Sequence, residues 1–158
     1  MFKQQFLTNL TDSYVVFTGV GQAQYDTLGD IRWERGGAGM AAYKFVQSSG
    51  TTAFAIGDFL CYTAAGIAGT NICDAANTSY PAGVAMFANA TAAALLGWVQ
   101  VQGVATLNTP TATTTGYEMT STGAANKSLK VRAAVTDNIA GLCLAAAGTP
   151  VMLALPTA

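Results

Sequence analysis

Short hydrophobic runs alternate with small polar clusters along most of this chain. The runs are about five residues long and turn residues recur about every 8 to 12 residues, which is typical of a β-sandwich or a small barrel. No stretch keeps the period of an amphipathic helix over several turns, although Thr-Ala-Ala-Ala-Leu-Leu at 91–96 has the composition of a short helix. After residue 48 the pattern predicts strands at 58–63, 71–74, 83–87, 97–107, 128–133, 139–144 and 150–155.

The chain before residue 48 contains a predicted hairpin. Polar and apolar residues alternate at 30–34, glycines cluster at 36–39, and a second strand is predicted at 42–47. The glycines are interpreted as a turn, because the Lys-Ser/Thr that completes a phosphate-binding loop does not follow them. A further run of residues that favour a β-strand lies at 14–18. The sequence therefore predicts an N-terminal arm or edge segment, 1–28, followed by a single β domain, 29–158.

The first strand of the hairpin has a charged face. Asp30, Arg32 and Glu34 occupy alternate positions, so their side chains share one side of the strand. Ile31 and Trp33 take the other side. A salt-bridge ladder, within the fold or at an interface, is favoured over a catalytic pair of carboxylates.

A second alternation is found at residues 98–102. Trp98, Gln100 and Gln102 share one side of the predicted strand, while Val99 and Val101 share the other. Two interpretations of Trp98 stay open, because a tryptophan at such a position either packs over the sheet or contacts another subunit, where aromatic side chains are enriched.

Charge is scarce in this sequence. Charged residues make up 9% of the chain, the net charge is −1, histidine is absent, and residues 75–117 carry no formal charge. General acid–base chemistry near neutral pH depends on histidine or on perturbed acids and lysines, so we expect no enzyme. The near-equal numbers of basic and acidic residues also argue against nucleic-acid binding, which needs a basic surface. A nearly neutral surface favours association with partners.

The cysteines and the apolar stretches add little chemistry. Cys61, Cys73 and Cys143 have no metal-binding spacing, so we expect buried thiols in a reducing cytosol, with a Cys61–Cys73 disulfide as an alternative. The N-terminus does not have the pattern of a signal peptide, and the most apolar stretch, 82–99, is interrupted by polar residues. We therefore expect no metal, no cofactor and no membrane span.

Four short motifs carry a resemblance to a known family. They are YKFV at 43–46, GDFLCY at 57–62, PAGVA at 81–85 and GWVQVQG at 97–103. This pattern resembles the small capsid decoration (cement) proteins of tailed bacteriophages, and the likeness covers roughly residues 40–155. Gly-Trp-Val-Gln-Val is the distinctive part, whereas the other motifs consist of common residues.

The resemblance implies a fold and a role. It implies a small β-barrel or β-tulip-like domain of short antiparallel strands, usually trimeric, that binds the outside of a phage head and clamps neighbouring copies of the major capsid protein. The protein would be made in the host cytoplasm and end on the capsid surface. Candidate subunit or capsid contacts are the aromatic residues of the N-terminal segment and the two strand faces described above: Phe2, Phe6, Tyr14, Phe17, Arg32, Trp33, Arg35, Trp98, Gln100 and Gln102. The N-terminal aromatic residues could equally complete the chain's own core.

A second function is kept as an alternative. A receptor- or carbohydrate-binding module at the virion surface would use Trp33, Trp98 and the Thr-rich segment 107–116 as a sugar platform. That segment is polar and interrupted by proline, which predicts an exposed loop or hairpin tip.

Overall fold

The chain forms β-strands joined by turns and irregular segments. The computed structural model describes residues 14–15, 28–36, 38–48, 53–62, 71–74, 80–91, 95–108, 115–121, 129–145 and 151–155, with the backbone alone at 14–15, 36, 71–74 and 121. Within these ranges there are eleven strands and no helix. The prediction of an all-β fold built from short strands is confirmed.

The strands are numbered in chain order. They are β1 (Tyr14–Val15), β2 (Ile31–Gly36), β3 (Gly39–Ser48), β4 (Phe59–Tyr62), β5 (Asn71–Asp74), β6 (Pro81–Ala85), β7 (Leu95–Ala105), β8 (Glu118–Ser121), β9 (Leu129–Val131), β10 (Gly141–Cys143) and β11 (Val151–Ala154).

All eleven of the described strands belong to one sheet. Its order is β2-β3-β5-β4-β6-β7-β11-β10-β8-β9, with β1 added beside β7. Neighbouring strands are antiparallel except β3 and β5, which are parallel over two residue pairs. Because β3 also pairs with β7, the sheet curls back on itself at this point.

In the described part of the chain, five strands form a ring, because β3, β5, β4, β6 and β7 pair in succession and β7 pairs again with β3. The eleven-stranded sheet as a whole is not closed, since its outer strands β2 and β9 each pair with one neighbour, β3 and β8 respectively. An open sheet leaves backbone hydrogen-bonding groups at both outer edges.

The longest strand, β7, holds the sheet together. One of its edges pairs with β3 from Leu96 to Gln102. Its other edge is shared in turn by β1, opposite Leu95 and Leu96, by β6, opposite Val99 and Gln100, and by β11, which begins opposite Ala105. Segments from the start, the middle and the end of the chain therefore meet on one strand.

The two faces of β7 contribute to two separate clusters of buried side chains. Val99 and Val101 lie in the main core, which includes residues from β3, β4, β6 and β11. Trp98 and Leu96 point to the other face and pack with Phe45 in a second, smaller cluster. The predicted alternation along β7 is confirmed, and its physical basis is the two-residue period of an extended strand.

Sequence patterns located most of the other strands as well. The predicted hairpin is present, with Gly36 opposite Gly39 and a two-residue loop between the strands. The suggested helix at 91–96 is wrong at its end, because Leu95 and Leu96 belong to β7, and residues 92–94 lie outside the described ranges. β8 was missed, since Met119 is its only large apolar residue.

Glycines allow close contacts around β7. A Cβ atom on Gly97 would lie 2.4–2.7 Å from three ring atoms of Phe87, which is fully buried. Gly83 has φ +140° and a Cβ there would lie 2.5 Å from the Gln100 carbonyl oxygen. Gly103 has φ +89° and approaches the Met40 carbonyl equally closely. Side chains at these positions would displace a buried ring or the backbone of the central strands.

This packing predicts the effect of a methyl group at Gly97. We expect Gly97→Ala to lower the free energy of unfolding by about 1–3 kcal/mol, because the new Cβ atom forces the Phe87 ring out of place. Denaturant unfolding of the purified protein measures the loss.

The matched control is the double variant. Phe87→Leu removes part of the ring, so the double variant Phe87→Leu/Gly97→Ala should lose less stability than the two single losses added together. Additive losses, or a Gly97→Ala protein as stable as the wild type, would show that the ring does not constrain this position.

Candidate interaction surfaces

The β2–β3 hairpin exposes two large apolar side chains. Trp33 is 53% exposed and Met40 is 54% exposed. They lie on the same side of the hairpin, because Trp33 is opposite Ala42 and Met40 is opposite Arg35 in the register. Arg35 is exposed as well. This part of the hairpin presents an aromatic ring, a thioether and a cation together at the margin of the sheet.

The other side of β2 contacts the second cluster through Arg32. Arg32 forms an ion pair with Glu34, and its guanidinium carbon lies 6.0 Å from the centre of the Trp98 ring. The predicted pairing of alternate charges on this strand is confirmed for these two residues. Burial raises the pKa of the nearby Tyr43 hydroxyl, Glu34 raises it further, and Arg32 lowers it in part.

Trp98 lies inside the second cluster and is 2% exposed. Its ring is tilted by 55° against the ring of Phe45, with 5.1 Å between the centroids. Its indole Nε1 is buried and has no hydrogen-bond partner in the described structure. Within a single chain, Trp98 therefore contributes packing through its ring, and a contact with another subunit stays a prediction.

The two glutamines that follow Trp98 bind backbone carbonyls of their own sheet. The buried Gln100 amide donates to the carbonyls of Gln102 and Val104, at 3.2 and 3.0 Å. Gln102 donates to the carbonyl of Leu155, just after β11, at 3.2 Å. These hydrogen bonds lie at the point along β7 where its neighbouring strand changes from β6 to β11. The side chains satisfy carbonyls at that junction, and their proposed role at an interface stays a prediction.

The N-terminal candidates are only partly described. Phe2, Phe6 and Phe17 lie outside the described residues. Tyr14 belongs to β1, and its backbone is opposite Leu96 of β7. The division into an arm and a β domain stays a prediction.

An apolar row that the sequence pattern did not predict lies on the outer face of β10, β11 and β7. Leu142 is opposite Met152, which in turn is opposite Val104. Leu142 is 40% exposed, Met152 is 39% exposed and Val104 is half-buried. We call these three residues the outer apolar row. Their signal was hidden, because in β10 and β11 the inward-facing neighbours are apolar too and no polar alternation marks the outer face.

The motifs behind the family resemblance lie side by side in the sheet. β4 follows the Gly57-Asp58 turn and pairs with β6, with Phe59 opposite Val84. β6 pairs with β7, with Val84 opposite Gln100. The four-residue motif at 43–46 lies in β3, which pairs with the opposite edge of β7.

Asp58, in the motif at 57–62, has a structural role. Its carboxylate accepts hydrogen bonds from the Ala55 amide at 2.9 Å and from the Asn108 side chain at 3.1 Å. Gly57 is in the left-handed region and its carbonyl accepts a bond from the Asn108 amide. The Gly-Asp pair thus connects the start of β4 with the segment that follows β7.

The cysteines agree with the expectation of burial where they are described. Cys61 and Cys143 are buried, and the Cys143 thiol donates to the Ala145 carbonyl at 3.0 Å. Cys61 lies opposite Cys73 in the β4–β5 register. The side chain of Cys73 is outside the described part, so the alternative of a disulfide stays open.

A shallow groove lies beside the loop that follows β9. Tyr117, Glu118, Arg132 and Val135 are among its lining residues. Arg132 pairs with Glu118 at 2.6 Å and donates to the carbonyls of Ala134 and Val135. These contacts hold the loop in place, so Arg132 has a structural function in this groove.

Two kinds of feature are absent from the described residues. They contain no group of three or more His, Cys, Asp or Glu arranged to hold a metal ion. Among the same residues there is also no helix with the length and hydropathy to cross a membrane.

Comparison with known proteins adds no identification. No protein-family model matches the sequence, and neither curated proteins nor solved structures gave a match.

The contrast between the two tryptophans gives a prediction. We expect Trp98→Ala to cost about 3–5 kcal/mol of stability, because it empties a buried site. Trp98→Phe should cost about 1 kcal/mol, since it keeps most of the ring and removes the unpartnered Nε1. Trp33→Ala, on an exposed position, should stay within about 0.5 kcal/mol of the wild type. Chemical denaturation of the three variants checks this order, and equal losses for Trp98→Ala and Trp33→Ala would contradict the assigned roles.

Proposed function

We propose that this protein is a capsid decoration protein of a tailed bacteriophage, which binds the outside of the head and stabilises contacts between copies of the major capsid protein. It acts by adhesion and carries out no chemical step. Its partners are the major capsid protein and further copies of itself.

The observation that carries this proposal is the contiguity of the resembling motifs. Separate segments, 43–46, 57–62, 81–85 and 97–103, form neighbouring strands and the turn that leads into one of them. A chance likeness between short sequences has no reason to collect in one part of a sheet. The motifs thus support a likeness in the architecture of the domain, from which the role is inferred.

The character of the surface supports a role in adhesion. The outer apolar row and the Trp33–Met40 pair are exposed in a chain of which only 9% is charged. Burial of apolar surface contributes about 25 cal/mol per Å², so a small contact is weak by itself. A decoration protein repeats the contact over a whole shell, where linked contacts act together.

The structure offers less support for the sugar platform. That function needs both tryptophans on an accessible surface, whereas Trp98 is 2% exposed and Trp33 is 53% exposed. The alternative would rest on Trp33 alone among the tryptophans.

Co-sedimentation with capsids tests the proposal. Shells assembled from the major capsid protein of the same particle are mixed with the purified protein and pelleted. We expect saturable binding. The double variant Leu142→Glu/Met152→Glu should bind at least about tenfold more weakly, because the contact would have to bury two unpaired carboxylates.

A matched control is available on the same domain. Val135 is 90% exposed in the loop after β9, so Val135→Glu adds the same charge to another apolar surface position and should leave binding unchanged. Thermal unfolding verifies that each variant is folded. Absence of any binding to shells, combined with binding to a glycan array, would refute the proposal and favour the alternative.

A further inference from the structure

Strand β2 has a free edge in the described structure. It is the outermost strand of the sheet and pairs only with β3. An exposed edge strand is a template for pairing with another chain, and proteins usually protect it with charges, proline or a covering segment. Here the middle of the edge carries Trp33, which is 53% exposed.

The hydrogen-bonding pattern of the hairpin fixes which backbone groups face outward. The Phe45 amide donates to the Asp30 carbonyl at 2.9 Å and the Gly29 amide donates to the Phe45 carbonyl at 2.8 Å, so the Asp30 carbonyl faces β3. Along an antiparallel ladder, paired and unpaired residues alternate. The N–H and C=O groups of Ile31, Trp33 and Arg35 therefore face away from β3, toward the free edge.

The charges along this edge are self-complementary. If a second β2 strand lies antiparallel with Trp33 opposite its own copy, Arg32 of each chain lies opposite Glu34 of the other. Centring the pair on Arg32 or on Glu34 instead would place like charges opposite each other, which is unfavourable. Charge therefore selects the register centred on Trp33.

The same register satisfies the backbone. Trp33 would exchange both of its outward hydrogen bonds with its copy, and Ile31 would do so with Arg35 of the other chain. Arg32 and Glu34 then occupy a non-hydrogen-bonded pair, where opposed side chains lie closest together. Arg32 is already positioned for this role by its stacking on Trp98 and its ion pair with Glu34.

We propose that two copies of this chain associate through an antiparallel β2–β2 pair with a two-fold axis at Trp33. The contact joins the two sheets into one, buries the two Trp33 side chains against each other, and forms two interchain ion pairs between Arg32 and Glu34. This inference does not depend on the proposed function. It also differs from the trimer that the family resemblance implies, because a two-fold contact of this kind joins chains in pairs.

Sedimentation velocity of the full chain tests the association. Over a roughly hundredfold range of concentration, we expect a shift from monomer to dimer by mass action. Glu34→Arg places arginines opposite each other and should weaken the dimer at least about tenfold. The double variant Arg32→Glu/Glu34→Arg restores opposite charges and should recover the dimer.

Cysteine cross-linking tests the register directly. In a hydrogen-bonded antiparallel pair the Cα atoms are about 5.5 Å apart, which suits a disulfide. Under air oxidation with a copper–phenanthroline catalyst, Trp33→Cys should therefore form a covalent dimer. Arg35→Cys is the matched control, since residue 35 lies opposite residue 31 of the other chain and should not cross-link to its copy.

Each result of the sedimentation and cross-linking experiments leads to a different conclusion. A wild-type chain that stays monomeric at every concentration overturns the proposal, and so does an oligomer whose mass Glu34→Arg leaves unchanged while the variant is folded by circular dichroism. If Glu34→Arg fails to fold, the cross-linking pair decides. Equal cross-linking at positions 33 and 35, or at neither, rules out the two-fold axis at Trp33.

Discussion

The pairing of β7 with four other strands is the constraint on which the rest of this structure depends. Its edges connect β3 on one side with β1, β6 and β11 on the other. Its faces supply Val99 and Val101 to the main core and Trp98 to the second cluster. A strand buried on both faces and both edges tolerates few changes, which explains why glycine is needed where Phe87 and the neighbouring backbone come closest.

This arrangement changes how the distinctive motif should be interpreted. The residues of GWVQVQG that stand out in the sequence pack, bind carbonyls or allow close approach within the fold. A resemblance based on them therefore concerns the architecture of the sheet. Specificity for a partner has to come from outward-facing positions, such as Trp33 and the outer apolar row, where the sequence is not distinctive.

Local patterns predicted what local physics determines. The hairpin and nearly all strands follow from period-two alternation and turn residues, because these features act within a few residues of one another. The wrong predictions concern segments whose structure depends on pairing with strands far away in the sequence. Leu95 and Leu96 follow an alanine run with helical composition, yet pairing with β3 and β1 holds them extended. β8 is too polar to be recognised by itself and depends on β9 and β10 for its pairing.

Exposure was the least predictable property of the candidate surfaces. Trp33 and Trp98 both occur in alternating strands, and the sequence gives no sign that one is exposed and the other buried. The difference arises from position, because β2 is at the edge of the sheet whereas β7 is at its centre. For the same reason Leu142 and Met152 look like core residues in the sequence, although they lie on the outer face.

The order in which strands join β7 has a consequence for biogenesis. β11 comes after the other ten described strands in the chain, yet it completes one edge of the central strand. A growing polypeptide therefore leaves that edge open until nearly all of the domain has emerged from the ribosome. Pairings between such distant segments make folding slow, in the range of milliseconds to seconds for comparable β topologies. During this interval the nascent chain is vulnerable to aggregation, and chaperones that cover exposed strands would improve the yield of assembled protein.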